Sequence, residues 1–107
     1  MELLCKTDQI NDRDARSFDT PQGEVIVASR DGMFYAYLNR CPHLGISLEF
    51  QEQQFMDMDH EYLMCANHGA LFQVENGECV FGPCKNQSLK PIPIKVHSDG
   101  GIYLIEG

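Results

Sequence analysis

The stretch EVIVASRDGMFYAYL (residues 24–38) decides the fold class. Glu24 to Ser29 is rich in β-branched residues (Val25, Ile26, Val27), which fit a pleated sheet surface. Asp31-Gly32 is then a strong hairpin turn, and Met33 to Leu38 returns as the partner strand. The C-terminal third mirrors this pattern. Ile92 to His97 is predicted as a strand, Ser98-Asp99-Gly100-Gly101 as a turn, and Ile102 to Ile105 as the returning strand. Pro91 and Pro93 belong at the start or edge of that strand, where a missing N–H is tolerated. Cys5 falls in a predicted edge strand near the N-terminus.

Between the hairpins the character changes. This segment holds Cys41-Pro42-His43, a polar stretch from Glu49 to Glu61, and Cys65-Ala66-Asn67-His68-Gly69. It ends with Glu75-Asn76-Gly77-Glu78 and a turn at Gly82-Pro83-Cys84. Residues 50–58 (FQEQQFMDM) are either loosely helical or irregular. No internal repeat or low-complexity tract is present. The expected architecture is an all-β single domain, residues 1–107. Its antiparallel β base comprises about 1–40 and 85–107, with a ligand-bearing subdomain inserted at about 41–84.

The bulk composition narrows the function. At 107 residues the chain fits one compact domain with a modest core. Its formal net charge of −8 argues against nucleic-acid binding, because no Lys/Arg-rich stripe exists to neutralise phosphates. An acidic surface suits docking onto a basic face of a protein partner, although the charge could equally serve solubility alone. No apolar run approaches the roughly 20 residues needed to cross a bilayer, so no membrane insertion is expected. Met1-Glu2-Leu3-Leu4-Cys5-Lys6 lacks the basic start and apolar core of a signal peptide, and a cytoplasmic location is expected. Five cysteines are many for a reducing compartment, and their odd number and uneven spacing point to metal before bridges.

Two short motifs carry the chemistry: Cys-x-His at 41–43 and Cys-x-x-His at 65–68. Each supplies one thiolate and one imidazole, and each is followed by a small, flexible element (Leu44-Gly45 and Gly69-Ala70). Two loops offering the same pair of ligand types suggest a binuclear site with unlike halves. Zinc competes, since two Cys and two His are a common zinc set. Zinc fingers, however, usually group like ligands, whereas here the order alternates. A pair of buried cysteines with two surface histidines and no metal is the remaining alternative.

With CPHLG (41–45), CANHGALF (65–72), ENGEC (75–79) and Gly82-Pro83 in order, the sequence resembles the Rieske-type [2Fe–2S] ferredoxin family. The resemblance, with the flanking hairpins, covers nearly the whole chain. It implies a Rieske-like antiparallel β sandwich or partly open barrel as the base, and one [2Fe–2S] cluster per chain. It further implies that Cys41 and Cys65 bind the inner iron while His43 and His68 bind the outer iron. Around them it places Leu44, Gly45, Gly69, Ala70, Phe72 and the Gly82-Pro83 loop. Neutral imidazoles in place of thiolates leave the cluster less negative and easier to reduce than a four-cysteine centre.

Departures from the family's high-potential members point to a low potential. Those members bridge their cluster loops with two cysteines at places corresponding here to Ile46 and Asn67, so that bridge cannot form. They also carry a serine and a tyrosine where Ala70 and Phe72 stand. Hydrogen bonds to sulfur stabilise the reduced cluster, so their absence places the expected potential near the low end of the Rieske range, around −150 mV.

The loop from Leu44 to Leu63 is longer than in typical members. Its Phe55, Met56 and Met58, beside Asp57, Asp59 and Glu61, form either a docking surface or a small satellite core with solvated acids. The satellite core is the favoured alternative. Cys79 and Cys84 are near enough in sequence to bridge, but buried thiols are the commoner outcome. Cys5 is expected to be a packed residue. His60 and His97 lack a matching cysteine and are expected on the surface or in a strand.

The resemblance implies a soluble one-electron carrier between a reductase and a terminal oxygenase or similar enzyme. Two alternatives remain: a small Rieske subunit of a larger, nitrite-reductase-like enzyme, and a redox-sensing module that signals by cluster loss. An activity of the chain alone is not expected, because every cluster iron would be fully ligated. The oligomeric state is left open.

Overall fold

The computed structural model describes residues 2–40, 55–65, 69–82 and 86–105. Among these, nine strands form three antiparallel sheets, with a single 3-10 turn at Thr7–Gln9. The strands are β1 (Glu2–Lys6), β2 (Asp14–Thr20), β3 (Gly23–Arg30), β4 (Met33–Leu38), β5 (Tyr62–Met64), β6 (Leu71–Gln73), β7 (Cys79–Phe81), β8 (Ile94–Val96) and β9 (Gly101–Leu104). The first sheet is ordered β1-β9-β8, the central one β2-β3-β4 and the third β5-β6-β7. They are separate sheets and do not close into a barrel.

The hairpin predicted around Asp31-Gly32 forms, with Arg30 opposite Met33. Asp31 and Gly32 both take positive φ (53° and 83°), the backbone twist that a two-residue hairpin turn needs. The C-terminal hairpin also forms, but its first strand is shorter than predicted. Pro91 and Pro93 lack donors, and the Ile92 N–H turns instead to the Ala36 carbonyl at 2.9 Å. Regular pairing therefore starts only at Ile94. Cys5 does lie in an edge strand, β1, opposite Ile102.

The unbroken apolar run in β3 has a direct cause: both faces of the central sheet are covered. Val25 and Val27 pack with Cys5, Ile102, Leu104 and Ile92 of the first sheet and its neighbours. Ile26 and Ala28 point the other way, into a second cluster with Leu63, Phe72, Val74, Cys79 and Leu89. Period-two alternation sends successive side chains to opposite layers, so a strand buried on both sides reads as continuous hydrophobics. Each such Val or Ile contributes about 1.5–3 kcal/mol of burial. The third sheet is thus bolted to the outer face of the sandwich formed by the other two.

Phe55 and Met56 settle part of the question about the long loop. They are buried, and they join the main cluster with Leu63 and Phe72, not a satellite. Residues 55–58 contain no helix; Met56 forms an isolated bridge with Leu63. Residues 50–54 lie outside the described residues. Met58 is 96% exposed.

Candidate metal centre

The strand β5 leads directly to Cys65. Leu63 and Cys65 alternate inward and are fully buried, while Met64 faces outward and is half-buried. The Cys65 N–H donates to the Ala70 carbonyl at 2.8 Å, tying these two positions together. Gly69 makes the reversal at φ 64°, after which Leu71 pairs back with Met64. Cys65 is not part of a disulfide.

The same loop meets the Gly82 turn. Gly82 has φ 104°, and a Cβ built there would lie 2.9 Å from the Ala70 Cα. Only a residue without a side chain lets the two backbones approach so closely. Phe72, fully buried, pairs across to Cys79 and lies in the cluster that also holds Cys65 and Ala70. The structure therefore brings together Cys65, Ala70, Phe72 and Gly82, with Gly69 shaping the loop between them. Cys41, His43, Leu44, Gly45, His68 and Pro83 lie outside the described residues. Among the described residues no group of three His, Cys, Asp or Glu side chains gathers to hold a metal.

Two features lock this end of the molecule to the sandwich. The Tyr37 hydroxyl donates to the Val74 carbonyl at 2.6 Å, and burial pushes its phenol above the usual range. Gly77, at φ 74°, lies so close that a Cβ there would approach the Tyr37 ring to 2.7 Å. The second lock is ionic. Arg30 donates Nη1 to the Glu61 carbonyl at 2.8 Å and Nη2 to the Glu61 carboxylate at 2.7 Å. Its Nε lies 3.4 Å from Glu75, and Arg13 also donates to Glu61. The Arg30 and Arg13 hydrogen bonds hold the Glu61 carboxyl below the ordinary glutamate range, and the Glu61 bond raises the Arg30 guanidinium in turn.

Two of the three acids named in the long loop, Asp57 and Glu61, are therefore engaged rather than simply solvated as expected, while Asp59 is exposed. Glu61 is clamped, and Asp57 Oδ1 accepts from the Glu61 and Tyr62 N–H groups at 2.8 and 3.1 Å, capping the turn that enters β5. Sequence inspection missed Arg30 and Tyr37, and gave Glu61 no partner. The available signal was a lone Arg closing an apolar strand and a Tyr in a run destined for burial.

The other cysteines and histidines separate cleanly. Cys5 is a free, buried residue whose thiol burial pushes up to about 11, as expected of a packed side chain. Cys79 departs from the expected buried thiol: it is disulfide-bonded, with its Sγ 3.3 Å from the Phe81 carbonyl oxygen. Cys84 lies outside the described residues. His60 is exposed, with Nδ1 2.9 Å from the Arg13 carbonyl. His97 follows β8, half-buried, with its ring centroid 4.5 Å from that of Tyr103 in a tilted arrangement and its Nε2 buried and unpartnered.

The described residues fit a bound cluster. They place a fully buried cysteine outside any disulfide at the base of a hydrogen-bonded loop, with a second loop held against it at van der Waals distance. Cys65 can supply one of the thiolates that an iron–sulfur cluster takes as ligands.

Comparison with known proteins agrees. A model of the Rieske [2Fe–2S] domain matches residues 1–98. The ferredoxin component of the alkene monooxygenase system of Xanthobacter autotrophicus (strain ATCC BAA-1158 / Py2) is 33% identical over 102 residues, covering 95% of this chain and 77% of that protein. The structure resembles the ferredoxin of carbazole 1,9a-dioxygenase from Nocardioides aromaticivorans IC177, with a TM-score of 0.78 at 21% identity over 98% of this chain and 96% of that one. It also resembles a chain in the complex of reduced oxygenase and oxidised ferredoxin in carbazole 1,9a-dioxygenase, with a TM-score of 0.75 at 21% identity over 95% of this chain and 89% of that one. No helix among the described residues is long and apolar enough to cross a membrane. From the domain match over most of its length, the chain belongs to the Rieske [2Fe–2S] domain family, with a [2Fe–2S] cluster as its cofactor.

Proposed function

We propose that this chain is a Rieske-type ferredoxin of low potential, working in the cytoplasm and passing single electrons from a reductase to a terminal oxygenase. One observation carries this: 33% identity across 95% of the chain to the ferredoxin component of a monooxygenase system. The proposed ligands are Cys41 and Cys65 for the inner iron and His43 and His68 for the outer iron. When bound, the cluster supplies a site that takes up and gives back one electron.

The residues around it have definable tasks. Cys65, anchored through its N–H to Ala70, holds its thiolate at a fixed point of the buried core. The close packing of Gly82 on Ala70 keeps the two loops together and limits water on that side. Ala70 and Phe72 offer no hydroxyl to a sulfur, which supports the low potential. The Arg30–Glu61 and Tyr37–Val74 contacts fix the third sheet on the sandwich, so that little reorganisation accompanies a change of charge.

The test is anaerobic purification followed by iron and sulfide analysis, absorption and electron paramagnetic resonance. One two-iron cluster per chain, reducible by one electron, is expected. Cys41→Ala, His43→Ala, Cys65→Ala and His68→Ala should each abolish or alter the spectrum, whereas Cys5→Ala should leave it unchanged. A colourless protein loaded with zinc would overturn the proposal.

A further inference from the structure

Among the described residues, the third sheet carries an apolar stripe, Met64, Leu71 and Phe81, that belongs to neither core cluster. In an antiparallel ladder, directly paired residues point to the same face. Leu63 pairs with Phe72, and Phe72 with Cys79, and this row is buried against the sandwich. The next row, Met64–Leu71–Phe81, is set off from it by an irregularity in the β6–β7 register, and its members are less buried. Met64 and Leu71 are half-buried and Phe81 is 61% exposed. Each member adjoins the centre: Met64 precedes Cys65, Leu71 follows Ala70 and Phe81 precedes Gly82.

Charge sets the surroundings of this stripe. Residues 41–84 hold seven carboxylates and no Lys or Arg, whereas the rest of the chain holds nine carboxylates and all eight cations. The net charge of −8 is thus concentrated in the segment that carries the centre. Of the described acids there, Glu61 and Glu75 are engaged by Arg30, while Asp59 and Glu78 stand exposed outside that network. Asp59 lies in the turn shortly before β5 and Glu78 immediately before β7, and both β5 and β7 run toward the stripe. Glu78 therefore sits behind the stripe by about three residues of strand, or about 10 Å, and Asp59 lies beyond the start of β5.

We propose that Met64, Leu71 and Phe81 form the contact face for the electron-transfer partner, with Phe81 as its anchor, and that the partner presents an apolar centre bordered by Lys or Arg. This rests on the electron-carrier function proposed above. A second copy of the chain is a poor occupant, because it would oppose two acidic faces. An anionic membrane or nucleic acid is repelled for the same reason. Phe81, on the edge strand β7, is the most exposed member of the row, and aromatic side chains carry much of the energy of contact surfaces.

The experiment uses holoprotein and oxidised cytochrome c, a basic one-electron acceptor, at low ionic strength. Stopped-flow oxidation of the reduced holoprotein is followed with cytochrome c and, separately, with ferricyanide, a small anion that needs no docking face. Phe81→Ser should slow the reaction with cytochrome c by about 10-fold and weaken calorimetric binding similarly. The ferricyanide rate, absorption spectrum and reduction potential should stay unchanged. Val96→Ser, on the opposite sheet, should change nothing.

Equal rates for Phe81→Ser and wild type, or an equal loss with both acceptors, would overturn the stripe while leaving the electron carrier intact. Should Phe81→Ser fail to hold its cluster, hydrogen-exchange protection in the wild-type complex decides. Protection over residues 62–64, 71–73 and 79–81 supports the stripe, and protection confined to β1, β8 and β9 refutes it. Protection of the stripe by concentration-dependent dimers instead of cytochrome c would also refute it. Wild-type protein that reduces neither acceptor would refute the electron-carrier function itself.

Discussion

Gly82 rests directly on Ala70, with a virtual Cβ only 2.9 Å from the Ala70 Cα and a backbone φ of 104°. Two independent penalties therefore meet at one position. Gly82→Ala is expected to cost about 3 kcal/mol, from backbone strain together with overpacking. Gly32→Ala provides the comparison, since Gly32 has φ 83° but nothing within 4 Å of its Cβ position. It should cost only about 1 kcal/mol, the strain alone. Urea melts of both variants measure the difference; similar losses would mean that the Ala70 contact yields easily.

The Arg30–Glu61 contact makes stability depend on pH with a defined sign. Because the hydrogen bonds from Arg30 and Arg13 depress the folded-state pKa of Glu61, the folded state binds its proton less readily than the unfolded chain. The resulting stability is complete above the ordinary glutamate value of about 4.3 and is lost as pH falls through the lower folded value. Glu61→Gln should melt at a lower temperature than wild type at neutral pH, with the two curves converging in acid. The carboxylate is 38% exposed, so solvent screening keeps the effect modest. A gap that widens in acid would contradict this.

Ala70→Ser and Phe72→Tyr introduce the hydroxyls whose absence underlies the proposed low potential. Phe72 is fully buried, so a new hydroxyl there needs an acceptor to avoid a desolvation cost of about 1–3 kcal/mol. If a cluster sulfur accepts it, the potential rises and the holoprotein loses less stability than the apoprotein. Protein-film voltammetry and paired melts check both. An unchanged potential in the double variant would remove the tuning argument.

Cys79 and Cys5 should respond differently to alkylation. After denaturation without reductant, Cys79 should resist iodoacetamide and then react once a reductant is added, because it is disulfide-bonded. Cys5 should be silent in the native protein near pH 8, since burial pushes its thiol to about 11, and should react on denaturation. Peptide mass spectrometry reads both. Labelling of Cys79 before reduction would sink the first expectation.

The β architecture was legible because its signals are local. Asp31-Gly32 and Ser98–Gly101 each announce a hairpin within a few residues, and both formed. The short strands β5, β6 and β7 were not, since three-residue strands separated by ligand loops leave little periodicity. The polarity of the long loop also misled in part. Phe55 and Met56 enter the main core because the central sheet has a second face to cover, which no local pattern reveals. At the centre, Cys65 and its supporting residues Ala70, Phe72 and Gly82 were readable as a motif. The Arg30–Glu61 lock was not, because its partners are 31 residues apart and only the folded chain joins them.

The uneven distribution of carboxylates gives the molecule an electric polarity as well as a net charge. Residues 41–84 hold seven acids and no cation, two of the acids being answered by Arg13 and Arg30 from outside, against near balance elsewhere, so that segment is weighted toward the negative pole of a molecular dipole. A positively charged partner exerts a torque on such a dipole before contact, within the roughly 8 Å reach of charge at physiological salt. Diffusional encounters are then biased toward arrivals with residues 41–84 in front, the orientation that the proposed ligand set requires for passing an electron.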